Sequence, residues 1–399
     1  MHRYTVISSD CHAGADLADY RPYLEARWHE AFDRWLQGYE NPFRDLTAPD
    51  ANRNWDSGVR QAALEADGIV GEVIYPNTVP PFFPMSGLVT PTPPAADYEL
   101  RLAGLRAHNR WLAEWCADLP GRRAGIGQIL LNDVEEAVGD VNWIADHGLT
   151  GGALLPGVPP GSGIDPIHSP AYDPVWQACA ERGVVVNVHG GGGSPSEGWF
   201  PATLALFVLE AGFFSHRPVW SLVMGGVFDR FPDLRLVVAE AGAKWIPGTL
   251  AAMDAMQARQ DEGHIGALTF IEPFRLARKP SEYWATNCWL GASFMTREDA
   301  VDRELIGIDR IMWGSDFPHE EGTFPFTREA LANTYSGMDP AEVARMVGGN
   351  AAEVYGFDLD QLDPIAAEIG PEVAQVAQPI GGRPESQSLA FEPRSATLS

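Results

Sequence analysis

A carboxylate and an imidazole, Asp10 and His12, stand two residues apart directly after the apolar run Tyr4–Ser9. In a strand, residues i and i+2 point to the same side, so both side chains can converge on one point past the strand's end. Aimed together, they suit a divalent cation of the zinc, manganese or iron type. A turn-forming aspartate beside a surface histidine has the same spelling, so the rest of the chain must decide. His189 closes the run Val184–Val188 and opens onto four glycines, Glu240 closes Leu234–Ala239, and Asp316 follows Arg310–Trp313. Ionisable groups at the ends of apolar strands are costly to desolvate unless paired or bound to metal. Five such positions point jointly to a metal site.

These residues need elements that bring them together. Eight apolar runs are candidate strands: Tyr4–Ser9, Ile69–Tyr75, Ala124–Leu131, Gly151–Leu155, Val184–Val188, Leu234–Ala239, Trp284–Trp289 and Arg310–Trp313. Amphipathic stretches separate them, among them Tyr98–Asp118, Val134–His147, Pro174–Arg182, Thr203–Phe228, Thr249–Gln260 and Arg297–Leu305. The alternation predicts an α/β chain closed into a (β/α)8 TIM-like barrel, with functional side chains where the strands end. A doubly wound open sheet is the alternative, but no G-x-G-x-x-G follows an early strand. The polar stretch 28–60 and the Pro-rich stretch 76–94 read as lid insertions over the barrel mouth, within a domain spanning 1–357. Periodicity fades after Phe357. Residues 358–399 are expected to form an irregular C-terminal extension, partly disordered or docked on a partner subunit.

The chain has 28 Lys and Arg against 54 Asp and Glu, a net charge of -26. Such a surface repels nucleic acid and anionic membranes. No stretch approaches the ~18 apolar residues of a membrane span, and no basic start precedes an apolar N-terminal core. Cys11, Cys116, Cys179 and Cys288 lack CxxC spacing, so reduced thiols and a cytoplasmic location are expected. The expected partners are a small-molecule substrate and further copies of the chain, as a dimer or tetramer.

With these residues in view, the chain resembles the amidohydrolase superfamily, and within it the amidohydrolase-related branch of aminocarboxymuconate semialdehyde decarboxylase and the resorcylate-type decarboxylases. The resemblance covers residues 4–357. It rests on Asp10-Cys11-His12, on the fifth strand with His189, on Gly225–Leu234 and on Trp313-Gly314-Ser315-Asp316-Phe317-Pro318-His319. It implies one divalent ion, zinc or manganese before iron, held by Asp10, His12, His189 and Asp316. Two departures matter. Asp10 stands where the superfamily usually has histidine; the resorcylate-type enzymes likewise carry a carboxylate there, which tilts the resemblance toward that group. Glu240 stands where a histidine, often the catalytic one, is normal, so its proton transfer falls to Glu240 or His319 or is not performed. Binuclear members bridge two metals with a carboxylated lysine after strand four. Here that strand ends Leu154-Leu155-Pro156 and the only lysines are Lys244 and Lys279, which implies a mononuclear site.

Roles follow from that implied centre. Asp316 could ligate and also shuttle a proton. Glu240 is a candidate acid if a lid desolvates it, the structural alternative being a salt bridge to Lys244 or a strand-end arginine. His319, beside Asp316, is catalytic or supports a ligand. Arg217, next to His216, is a candidate clamp for a substrate carboxylate, and Trp289 and Phe294 are candidate walls of an aromatic pocket. His108, His147, His168 and His264 are expected to be structural or exposed. The expected function is metal-dependent, non-oxidative decarboxylation of a small aromatic or unsaturated carboxylic acid. The alternative is a mononuclear hydrolase of an amide, lactone or ester. A non-catalytic scaffold is disfavoured, because it would keep buried charges without the cation that neutralises them.

Overall fold

The structure, a computed structural model, describes residues 2–195, 198, 200–269 and 275–391. Eight parallel strands are paired in chain order: β1 Val6–Ala13, β2 Ile69–Pro76, β3 Arg123–Gln128, β4 Gly152–Leu154, β5 Val186–His189, β6 Leu236–Ala239, β7 Cys288–Ser293 and β8 Ile311–Gly314. β8 then meets β1 and closes the barrel. The Asp316 N–H donates to the Asp10 carbonyl at 2.8 Å and the His12 N–H to the Phe317 carbonyl at 2.7 Å. Two serines complete the seam: Ser8 Oγ accepts from the Ser315 N–H, and Ser9 Oγ donates to the Met312 carbonyl.

Strands buried on both faces are apolar almost throughout, which explains why they could be found as runs. The barrel interior is filled by Ile7, Val73, Tyr75, Ile126, Leu154 and Met312, with Ala351 and Val354 packed against them. A second core lies in a separate cluster with Val238, Leu222 and Trp176. Helix Ser57–Asp67 shows how the connections are punctuated. The Asp56 carboxylate accepts from the Gly58 and Val59 N–H groups at its start, and Gly68 ends it at φ 92°.

The structure corrects three boundaries. β1 runs on to Ala13, so Asp10 and His12 lie inside the strand rather than past its end. A register shift against β2 between Ser8 and Cys11 accompanies this extension. β7 begins at Cys288, because Trp284–Asn287 finish a helix, Pro280–Asn287. Pro280 at its first turn and the Glu282 carboxylate on the Lys279 N–H are ordinary helix-start chemistry, which the apolar run concealed. Beyond Phe357, Leu359–Ile369 is a helix that buries Leu362 and Ala366, its periodicity obscured by acidic residues and Pro364. Residues 378–391 pack back on their own chain, with Ser388 and Ala390 buried; the rest of the expected tail, 392–399, lies outside the described residues. Among the described residues, no helix is long and apolar enough to cross a membrane.

Candidate metal centre and active site

The barrel brings Asp10 and His12 from β1, His189 from the end of β5 and Asp316 from just past β8 to one buried point. Asp10 Oδ1 lies 3.4 Å from Nε2 of both His12 and His189, and His12 Nε2 lies 3.1 Å from Asp316 Oδ1. Asp10 Oδ1, His12 Nε2, His189 Nε2 and Asp316 Oδ2 are all buried without a hydrogen-bond partner. Their neighbouring atoms are occupied. His12 Nδ1 faces the Pro76 carbonyl and His189 Nδ1 the Gly190 carbonyl, which puts the proton on Nδ1 and leaves the Nε2 lone pair inward. The Ser293 hydroxyl donates to Asp10 Oδ2 and the His319 ring holds Asp316 Oδ1. Two imidazole nitrogens and two carboxylate oxygens are the donor set of a zinc-, manganese- or iron-type ion. The field agrees: burial works against protonating His189, yet Asp10 and Glu240 hold its pKa above the usual value. The centre calls for positive charge, and one divalent cation fits it.

Local backbone aims these groups. Glu240, Phe294 and Asp316, following β6, β7 and β8, have φ of 48°, 38° and 59°. Such conformations are strained for non-glycine residues and persist where the surroundings impose them. Two glycines give room. A Cβ on Gly190 would lie 2.5 Å from the Glu240 carbonyl oxygen, and one on Gly314 would lie 2.7 Å from Asp10 Cβ.

Among the described residues Glu240 makes no salt bridge to Lys244 or to an arginine; its Oε2 lies 3.4 Å from His189 Nδ1. Although a quarter of its side chain is open to the mouth, desolvation and then the Asp316 carboxylate raise its pKa. Glu321 joins these two acids, the three carboxylates lying within 4.8 Å of one another. On the other side of Asp316, His319 is fixed by a chain of amides. The Asn54 amide donates to the Ala51 carbonyl, Asn77 Nδ2 donates to Asn54 Oδ1, and Asn77 Oδ1 is left to accept from His319 Nε2 at 3.2 Å. Arg60, buried in an ion pair with Glu72, donates to the His12 carbonyl at 2.8 Å. Asn77, Ser293, Glu321 and Arg60 were not anticipated from sequence. Asn77 directly follows β2 and Ser293 ends β7, so reading strand ends for polar as well as ionisable residues would have found both.

Two cavities flank the centre. One is bounded by Leu88, Val188, Phe214 and Ile167, with His189 and Arg217 supplying its charge. Arg217 has no ion-pair partner among the described residues. The other is lined by Glu240, Ser293, Phe294 and Met295. Arg217 lines the first of these cavities and Phe294 the second. His216 lines neither. Its Nε2 bonds the Ala241 carbonyl at 2.6 Å, its ring stacks 4.0 Å from Trp245, and burial pushes its pKa down to about 4. Trp289 is corrected too: as the second residue of β7 it sits in the barrel interior at the opposite end, under the Arg310 guanidinium. The Gly225–Leu234 stretch serves the fold. Gly226 turns the chain at φ 65°, and Asp229 accepts from the Tyr283 hydroxyl.

A family model described as amidohydrolase matches residues 17–357. Among curated proteins, the chain is 23% identical over 314 residues to 2-amino-3-carboxymuconate-6-semialdehyde decarboxylase of Dictyostelium discoideum, covering 76% of this chain and 77% of that one. It is 26% identical over 235 residues to gamma-resorcylate decarboxylase of Rhodococcus jostii, covering 54% and 66%. Among solved structures, 5-carboxyvanillate decarboxylase of Novosphingobium aromaticivorans, complexed with manganese and 4-hydroxy-3-methoxy-5-nitrobenzoic acid, matches with a TM-score of 0.63 and 18% identity, over 88% of this chain and 96% of that one.

Proposed function

The chain belongs to the amidohydrolase family, and from that premise we propose that it is a metal-dependent lyase releasing CO2 from a small aromatic or unsaturated carboxylic acid. The observation that carries the reading is a buried cluster at the barrel mouth in which Asp10, His12 and His189 converge and Asp316 lies 3.1 Å from His12, each with a donor atom that has no hydrogen-bond partner. The reaction class is supported by two curated relatives that are decarboxylases. Manganese is the favoured ion because the matching decarboxylase structure carries it, with zinc as the alternative. When bound, the cation would hold a substrate carboxylate or neighbouring hydroxyl and draw electron density from the reacting ring.

The remaining work falls to the chain itself. Leu88, Val188 and Phe214 on one side and Phe294 on the other hold the apolar body of the substrate and exclude water. Arg217 pairs with an anionic group remote from the reacting carbon. The bond between that carbon and its carboxylate breaks, CO2 leaves, and the electron pair left on carbon takes a proton from the Glu240–Asp316 pair. His319 keeps Asp316 turned to the centre by holding one oxygen at 2.9 Å. The four cysteines are buried and unpaired, which supports a cytoplasmic setting, and exposed apolar side chains on helix Thr203–Met224 support a homo-oligomer.

Metal analysis followed by a CO2-release screen over hydroxybenzoic, vanillic and muconic-type acids tests the reading. The expected result is about one equivalent of divalent ion and chelator-sensitive CO2 release from at least one acid. Two equivalents of metal, or ester, lactone or amide cleavage without any CO2 release, would replace it with the hydrolase.

A further inference from the structure

The family match ends at residue 357, yet a later segment returns to the barrel mouth. Glu385, Ser386 and Gln387 line a hollow beside His319, and Leu389 lines the cavity of Glu240 and Phe294. The segment is anchored rather than merely adjacent. The Leu389 N–H donates to the carbonyl of Glu321, one of the three clustered acids, and the Asn333 amide donates to the Ala390 carbonyl. Ser388 is fully buried, and Ala390 and Phe391 form a small core with Ala330 against which Phe294 packs. Phe294 therefore touches the cavity on one side and this core on the other.

We propose that residues 385–391 are a wall of the active site contributed from outside the family domain, and that Leu389 is a specificity-determining residue facing the substrate beside Glu240. The half-buried Leu389 side chain is held by backbone bonds and by its buried neighbours, so its size sets the room left in that cavity. The substrate suited to this lobe carries an apolar substituent against Leu389 and Phe294. An anionic one would meet Glu240 instead, at the cost of like-charge repulsion. The substrate class rests on the proposed decarboxylation; the wall does not.

The two are tested separately. All four native cysteines are buried, so Leu389→Cys in the full chain offers one reactive thiol for a nitroxide label. Loading the labelled protein with Mn2+ should strongly attenuate the nitroxide signal, whereas Zn2+ should not. The same label on Leu268→Cys, on the hairpin His264–Ile265 with Leu268–Thr269, should be affected much less. An unattenuated signal at position 389 with Mn2+ bound would overturn the wall. Leu389→Trp should then raise KM for the best acid of the CO2-release screen by about tenfold, the scale of a pocket-size change, with kcat little altered. Leu389→Ala should admit acids with larger substituents. An unchanged substrate ranking in both variants would overturn the specificity role. CO2 release from no acid, with attenuation intact, would instead refute the reaction and leave the wall standing.

Discussion

His189 supplies one of only two imidazole nitrogens aimed at the centre, and its replacement cannot be made good by a neighbour. Glu240, the nearest acid on that side, lies 3.4 Å from Nδ1 and not from the inward Nε2. His189→Ala should therefore lose more metal affinity than the ~10–100-fold typical of residues that only support a ligand, and activity with it. His147→Ala is the control, because that ring is exposed and stacked 3.9 Å from Trp143. Elemental analysis and turnover of both variants check the assignment; equal losses would refute it. Glu240 asks a different question. Glu240→Gln keeps the shape of the side chain while removing its proton, so metal content and melting temperature should stay near those of the parent. Turnover should fall by ~10²–10⁴-fold, the usual contribution of general acid–base catalysis. Near-normal turnover would move the proton to Asp316 acting alone with His319. The contrast between residues found and missed at this scale is physical. Asp10, His189 and Asp316 were legible because an ionisable group directly after an apolar run is anomalous without a partner. Ser293 and Asn77 were not, because a neutral polar residue after a strand is ordinary turn chemistry.

Strands and helices were legible where one pattern ruled, and blurred where two met. β2, β3 and β4 begin within a residue of the apolar runs that predicted them, whereas β7 does not, because Trp284 belongs to a helix whose apolar face continues into the strand. Contacts between elements distant in sequence were invisible. One of them carries a pH dependence. Asp67, the last residue of helix Ser57–Asp67, accepts from the Thr327 N–H at the start of helix Thr327–Tyr335, while its other oxygen is buried without a partner. Burial pushes its pKa up to about 6, above the ~3.9 of an unfolded aspartate. The folded state then holds its proton more tightly than the unfolded one. This side chain costs nothing below pH ~4, and destabilises the fold progressively from there to about 6 and fully above it. Asp67→Asn can still accept the Thr327 bond and carries no charge to desolvate. It should raise stability by about 2 kcal/mol above pH 7, and the gain should vanish near pH 4. Thermal melts of both proteins at the two pH values measure it, and a gain independent of pH would refute the carboxylate as its cause.

At the scale of the molecule, the charge of -26 and one unusual helix pull in opposite directions. Single exposed apolar side chains need no explanation. The N-terminal half of helix Thr203–Met224 has several together: Leu204, Leu209 and Phe213 are 66%, 58% and 55% exposed, and Phe200 just before them is 71% exposed. Clusters of this kind mark surfaces that another surface covers. The helix also reaches the mouth, where Phe214 lines one cavity and Val208 the other, so whatever covers it stands close to both cavities. A second copy of the chain has the matching apolar surface by symmetry. Its opposing term is like-charge repulsion between two acidic molecules, and that term is the one salt removes. Sedimentation should therefore show a dimer or tetramer whose association strengthens from low salt to about 1 M, where the Debye length falls to about 3 Å. An interface held by ion pairs would weaken over the same range. Leu209→Gln with Phe213→Gln should shift the equilibrium toward monomer at every salt concentration without lowering the melting temperature of the monomer, since neither side chain belongs to the buried core. A monomer at high salt in the parent protein would mean that this helix does not join copies, and its apolar half would then face only the mouth it overhangs.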